Sequence, residues 1–223
     1  MPAAVTSDVE LRASLSGGTS AVAIYRMVAR ALEGRHPGGG TLLDVGCGMG
    51  NLWPWVQTHF QRYLGADVVR YPGLPAAAEF VPADLDRGIP LPDAVAEVVA
   101  AVETIEHLEN PRAFVRELAR LAKPGGWVVI TTPNQLSLLS LLTLVGKQRF
   151  SAFQDVHYPA HRTALLEVDL RRIVEECALT ETVVRYSEEG RIPLTARHYP
   201  RPVSRLFPRA LSDNLLVMGC KSA

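Results

Sequence analysis

Cysteine is scarce in this chain: there are 3 among 223 residues, Cys47, Cys177 and Cys220, far apart in the sequence. An odd, dispersed set makes neither a disulfide framework nor a zinc spacing, and it suits a reducing compartment. Long apolar runs are missing as well. The greasiest stretch, Leu136 to Val145, is interrupted by Ser137, Ser140 and Thr143 and falls short of the roughly 18 residues that a membrane span needs. The N-terminus, MPAAVTSDVELR, carries Asp8 and Glu10 where a secretory leader would have its basic and apolar regions. These absences predict a cytoplasmic protein with no transmembrane segment. Charge of one sign is not in excess either, because 23 Lys and Arg balance 23 Asp and Glu. A polyanion could be held only by a local basic patch, and no RNA-binding module is visible, so RNA is a disfavoured partner. What remains is 48% apolar and 21% charged, which excludes a disordered or fibrous chain. The length predicts one domain, spanning 1–223, with an ample core.

No solenoid repeat is present. Short β-rich runs alternate instead with helical ones. Residues 20–33 have helical periodicity, and a flexible GRHPGGG leads into a buried strand at Thr41–Val45. A helix is expected over 51–60 with Pro54 in its first turn. Strands are expected at Tyr63–Asp67, at Glu79–Ala83 and over residues 95–102, the last almost wholly apolar as a strand buried on both faces should be. Pro111–Lys123 reads as an amphipathic helix, and Pro124-Gly125-Gly126 turns the chain into a strand at Trp127–Thr132. Further helices are expected at 135–146 and 164–178, and strands at 180–186 and 215–220. This order predicts an α/β sheet with helices on both faces.

Asp44-Val45-Gly46-Cys47-Gly48-Met49-Gly50 lies between a strand and a helix. Alternate glycines let a backbone turn tightly and approach a ligand. Alone, such a loop could serve a dinucleotide, another nucleotide or no ligand at all. Its spacing departs from the G-x-G-x-x-G of pyrophosphate loops, and an acid precedes it. Asp67 and Asp84 close the next two strands, at the carboxyl ends where open α/β sheets bind ligands. An acid at the end of the second strand commonly accepts hydrogen bonds from ribose hydroxyls.

D-V-G-C-G-x-G, then G-A-D, then A-D-L, then a hydrophobic strand and K-P-G-G resembles the class I S-adenosylmethionine-dependent methyltransferases over roughly residues 40–134. The resemblance implies a Rossmann-like, mostly parallel seven-stranded sheet, with the cofactor core at 20–134 and acceptor-binding elements at 135–213. It implies S-adenosyl-L-methionine as cofactor. Asp44 and the Gly46, Gly48 and Gly50 backbone would face its methionine part, Asp67 its ribose, and Asp84 with Leu85 its adenine. Acids suit this ligand because its sulfonium is positive. Cys47 is expected to pack under the loop rather than react.

Glu103-Thr104-Ile105-Glu106-His107 follows the fourth strand. If helical, its two acids and its imidazole share one face, and carboxylates held together call for a cation. The element resembles the E-x-x-E-H of ubiquinone-biosynthesis and small-RNA 2′-O-methyltransferases. That resemblance implies a divalent metal, Mg²⁺ or Mn²⁺, held by Glu103, Glu106, His107 and a downstream histidine. His161 is the preferred fourth ligand, with His157 and His107 as catalytic candidates and His157 the general base. Glu103 could instead orient the cofactor's amino group, with Glu106 and His107 bracing a helix.

The expected reaction is O-methylation of a sugar, glycan or other small polar acceptor. A catechol or quinone, an RNA 2′-hydroxyl, metal-free transfer to nitrogen or carbon, and a non-enzymatic cofactor-binding role are the alternatives. Arg185, Arg191, Arg197, Arg201, Arg205 and Arg209 could add a site for phosphate or carboxylate on the acceptor. The apolar run at 136–145 fits a lid, a homodimer contact or a peripheral membrane contact.

Overall fold

A computed structural model describes residues 8–36 and 38–222. Residues 1–7, on which most of the leader reading rests, lie outside the described residues, as does Pro37 of the GRHPGGG run. All seven strands join one sheet: β1 (Thr41–Val45), β2 (Arg62–Asp67), β3 (Glu79–Pro82), β4 (Ala96–Val102), β5 (Ala122–Pro133), β6 (Leu179–Tyr186) and β7 (Asn214–Lys221). Their order is β3-β2-β1-β4-β5-β7-β6. Neighbouring pairs from β3 to β5 are parallel, and β7 runs antiparallel to both β5 and β6. The expected mostly parallel α/β fold is therefore observed.

The helices are α1 (Asp8–Leu15), α2 (Val22–Leu32), α3 (Trp53–Val56), α4 (Pro111–Leu121), α5 (Leu138–Lys147), α6 (Glu167–Glu176) and α7 (Arg201–Leu206). Successive strand residues feed opposite faces. Leu43 and Val45 join Val99, Phe114, Leu118 and Ile173 in a core under α4 and α6. Leu42 joins Val98, Ile24 and Val28 in a second core under α2. Strands buried on both sides in this way read as continuous apolar runs, which is why β1 and β4 were visible in the sequence.

Three expectations need correction. The helix expected over 51–60 is one short helix, α3, followed by a 3-10 turn at Gln57–His59, with Val56 leaving helical geometry at φ −128°. Pro54 does sit in its first turn. The K-P-G-G segment belongs to β5 rather than preceding it: Ala122 already pairs with Ala96, and the register then shifts before Val98 pairs with Trp127. A Cβ at Gly126 would come within 2.8 Å of the Glu97 and Lys123 carbonyl oxygens, so that irregularity requires glycine. Glu103–His107 is not an α-helix either. Only Ile105–His107 forms a 3-10 turn, and Glu103 stands in the left-handed region at φ 51°. Neither α1 nor α7 was expected.

Candidate active site

A cavity of about 400 Å³ opens at the carboxyl ends of β1 and β4, where the strand order reverses direction. This is where an open α/β sheet places its ligand. Its wall carries Asp44, Gly46, Gly48, Asp67, Asp84, Leu85 and Glu103. It also carries His107, His157 and His161.

The glycine loop is held from both sides. Gly46 N–H and Cys47 N–H donate to the Ala66 carbonyl at 2.7 and 3.3 Å, pinning the loop to β2. Gly48 N–H donates to Asp67 Oδ2 at 3.0 Å, and Val69 N–H to Oδ1 at 3.3 Å. Each carboxylate oxygen keeps lone-pair capacity for a further donor, as a ribose hydroxyl would supply. Gly46 has φ 74° and Gly48 φ 49°. A Cβ at Gly46 would overlap the Thr104 side chain, and one at Gly48 the Gly18 backbone. Gly50 is buried but stands off the cavity wall, where a Cβ would meet Pro75 at 2.7 Å. It closes the turn and does not line the cavity.

Asp44 is buried, and its Oδ2 accepts from the Tyr63 hydroxyl at 2.7 Å. Burial pushes its carboxyl up to about 7, with the Tyr63 bond opposing and Asp67 reinforcing the rise. A cationic ligand group would offset this desolvation. Asp84 is tied locally, accepting from Asp86 N–H at 3.2 Å and pairing with Arg87 at 3.2 Å. Cys47 Sγ packs toward Gly65, and burial raises its thiol far above the range of a reactive cysteine.

The second cluster is different in kind. One ligand-capable atom from each of Glu106, His107 and His161 lies within 4.8 Å of the other two. Glu106 is fully buried; Oε2 accepts from the Thr132 hydroxyl at 3.2 Å, but Oε1 has no hydrogen-bond partner among the described residues. His107 Nδ1 meets the Ala160 carbonyl at 2.9 Å and His161 Nδ1 the Ala152 carbonyl at 2.7 Å. A carbonyl only accepts, so each Nδ1 carries the proton; the neutral His161 ring presents its lone pair at Nε2, while His107 also has the Glu103 carbonyl beside it. Burial lowers both imidazoles, His161 to about 4 with the His107 charge adding to the effect. Burial, then the Glu103 charge, holds Glu106 well above the carboxylate range. A buried carboxylate oxygen with no partner among the described residues and two imidazoles whose Nδ1 atoms face carbonyls suit a divalent cation.

Glu103 does not join this cluster. Its carboxylate accepts from Thr131 Oγ1 at 2.9 Å and Asn214 Nδ2 at 2.7 Å, and burial raises it to about 7. His157 stacks on His161 with ring centroids 5.4 Å apart. Its Nδ1 accepts from Gln154 N–H at 3.1 Å, so the neutral ring carries its proton on Nε2. That nitrogen is a donor, which suits orienting an acceptor better than removing its proton. None of the six arginines between 185 and 209 lines the cavity. Arg201, Arg205 and Arg209 pair instead with Glu189, Glu188 and Glu167.

Sequence reasoning missed the near wall. Val9, Ala13 and Leu15 of α1 line the cavity, as do Tyr25, Asp86, Val156 and Tyr158. The Tyr71 hydroxyl anchors α1 through Ala13 O at 2.6 Å, and Met49 N–H reaches Gly18 O at 2.9 Å. Gly17-Gly18 was the available signal, since two glycines between a helix and the next one mark a turn.

Comparison with known proteins agrees with this geometry. A family model described as a methyltransferase domain matches residues 21–178. A protein of Mycolicibacterium smegmatis named "Probable S-adenosylmethionine-dependent methyltransferase" is 27% identical over 197 residues, covering 85% of this chain and 70% of its own. The ubiquinone biosynthesis O-methyltransferase of Chromobacterium violaceum is 32% identical over 120 residues, 49% of this chain. The match spans 51% of that enzyme, so the chain covers about half the length of this relative. A SAM dependent methyltransferase from Archaeoglobus fulgidus shares the fold with TM-score 0.60 at 19% identity, over 88% of this chain and 94% of that one. The chain belongs to this methyltransferase domain family and is an S-adenosylmethionine-dependent methyltransferase.

Proposed function

We propose that the protein is an O-methyltransferase whose acceptor hydroxyl is activated at Glu106, His107 and His161 with a divalent cation. The observation that carries this reading is the buried Glu106 Oε1, without a hydrogen-bond partner among the described residues, beside two imidazoles whose Nδ1 atoms face carbonyls. In the cofactor half, Asp44 faces the cationic methionine part, Asp67 the ribose, and Asp84 with Leu85 the adenine. Gly46 and Gly48 let the backbone come close. S-adenosylmethionine, when bound, supplies a methyl on a sulfonium, from which the acceptor oxygen displaces S-adenosylhomocysteine. Mg²⁺ or Mn²⁺ at the cluster supplies Lewis acidity that lowers the pKa of the hydroxyl. Glu106, His107 and His161 would hold that cation, and with their lone pairs engaged the hydroxyl proton would leave to solvent through the cavity mouth; without it, the Nε2 lone pair of His161 is the proton acceptor. His157 donates to the acceptor and orients it. Holding the oxygen against the methyl provides much of the acceleration.

The geometry suits a hydroxyl with a neighbouring oxygen, as sugars and other polyols have. A catechol-type acceptor is a second reading, favoured by apolar Leu15, Val156 and Tyr158 on the cavity wall and by the activity in the name of the Chromobacterium violaceum relative. Single-turnover reactions with methyl-labelled cofactor and a panel of sugars, catechols, amines and short RNAs test the proposal. Label on oxygen, lost on chelation and restored by Mg²⁺ or Mn²⁺, is the expected result. Label on nitrogen or carbon, or full transfer after exhaustive chelation, contradicts it.

A further inference from the structure

The burial of α5 is inverted. In Leu138–Lys147 the buried side chain is Ser140, a polar residue, and its hydroxyl takes the Ser151 N–H at 3.2 Å. Leu141, Leu142 and Val145 are 40%, 51% and 84% exposed. A soluble helix normally turns such residues inward. Leu138 N–H donates to the Ala210 carbonyl at 2.7 Å, and Ala210 N–H to Phe207 O at 3.1 Å. The start of α5 therefore lies against the turn after α7, where Leu206 at the end of α7 and Phe207 are also exposed.

The segment that carries Leu206 and Phe207, residues 185–209, holds six arginines against two acids, Glu188 and Glu189, although the chain is neutral overall. α5 ends in exposed Lys147 and carries no acid. Glu188 is shared by Arg30 and Arg205, and Glu167 by Arg171 and Arg209, so each cluster keeps a surplus cation. Ten residues make a helix of about 15 Å, too short to cross a bilayer but long enough to lie on one.

We propose that α5 and the turn after α7 form a docking face for an anionic phospholipid bilayer, with Leu141, Leu142 and Val145 among the acyl chains and Lys147 and the surplus arginines at the headgroups. A second copy of the chain fits this face less well. A two-fold contact would set each cationic cluster near its own copy, and like charges across an interface are costly. The loop tied to α5 through Ser151 leads on to Val156 and Tyr158 at the cavity, so docking brings the cavity mouth to the lipid surface.

Sedimentation of the full chain with phosphatidylcholine vesicles, with and without phosphatidylglycerol, tests this. Wild type should pellet with the phosphatidylglycerol vesicles and be released by high salt. Val145→Asp and Leu141→Asp should each weaken binding about tenfold or more, and Lys147→Glu by less. Both positions are exposed, so S-adenosylhomocysteine affinity and melting temperature should stay at wild-type values and certify folding. Wild type left in the supernatant with anionic vesicles would overturn the proposal, as would variants that pellet equally well. A stable dimer dissociated by Val145→Asp would also overturn it and assign the face to a second copy.

Discussion

The two halves of the cavity are built to opposite rules. In the glycine-loop half, polar groups are already satisfied: Asp67 takes two backbone N–H groups, Asp44 takes the Tyr63 hydroxyl, and the loop itself hangs on Ala66 O. In the Glu106–His161 half, a fully buried carboxylate oxygen has no partner among the described residues. Such an atom costs about 1–3 kcal/mol or more in a folded protein. The contrast teaches that one half is a preformed cradle for a ligand of fixed shape. The other stores unmet ligand capacity, which a cation would satisfy.

The largest expected effect breaks the second half and leaves the first intact. Glu106→Ala should lower methyl transfer by about 100-fold or more, since it removes the proposed cation ligand and the buried Oε1 together. S-adenosylhomocysteine affinity, measured by calorimetry, should stay within about twofold of wild type. Equal losses in both quantities would mean that the two halves are not separable. The converse substitution is Gly48→Ala, which forces an alanine into the left-handed region and onto the Gly18 backbone. Strain of roughly 1–3 kcal/mol should lower the melting temperature by about 2–12 °C, with weakened cofactor binding.

Protonation offers a finer probe. The Asp44 carboxyl sits near 7, so below that pH the folded protein holds it neutral. A cationic ligand group pairs only with the ionised form, so cofactor affinity should fall as pH drops below about 7, by at most about tenfold per unit. Asp44→Asn should bind weakly and lose this slope in calorimetry between pH 5 and 8; an unchanged slope would move the titration to another group. Tyr63→Phe should have the smallest effect. Removing the 2.7 Å bond to Asp44 should weaken cofactor binding by about 3–10-fold and push its midpoint upward.

The same contrast explains what was legible in the sequence. β1 over Thr41–Val45 appears where the apolar run predicts it, and Asp44, Gly46, Gly48 and Asp67 reach the cavity because their spacing is local to two strand ends. The second half depends on contacts distant in sequence. Glu103 turns left-handed where its N–H meets the Thr131 hydroxyl, and its carboxylate is drawn off by Asn214, 111 residues away. No local pattern separates that from a helical E-x-x-E-H. His161 is near His107 because Arg162 and Thr163 N–H groups both bind the Glu106 carbonyl. Composition revealed α5 as apolar, but which side of it faces outward is set by the Ser140–Ser151 bond.

Equilibrium Mn²⁺ binding, followed by electron paramagnetic resonance of the free ion, tests the account most directly. One ion should bind per wild-type chain. Binding should be lost in Glu106→Ala and His161→Ala and kept in Glu103→Ala, whose carboxylate is engaged by Thr131 and Asn214. No binding to wild type, or binding that survives His161→Ala and Glu106→Ala, would contradict the assignment and leave these residues as internal bracing.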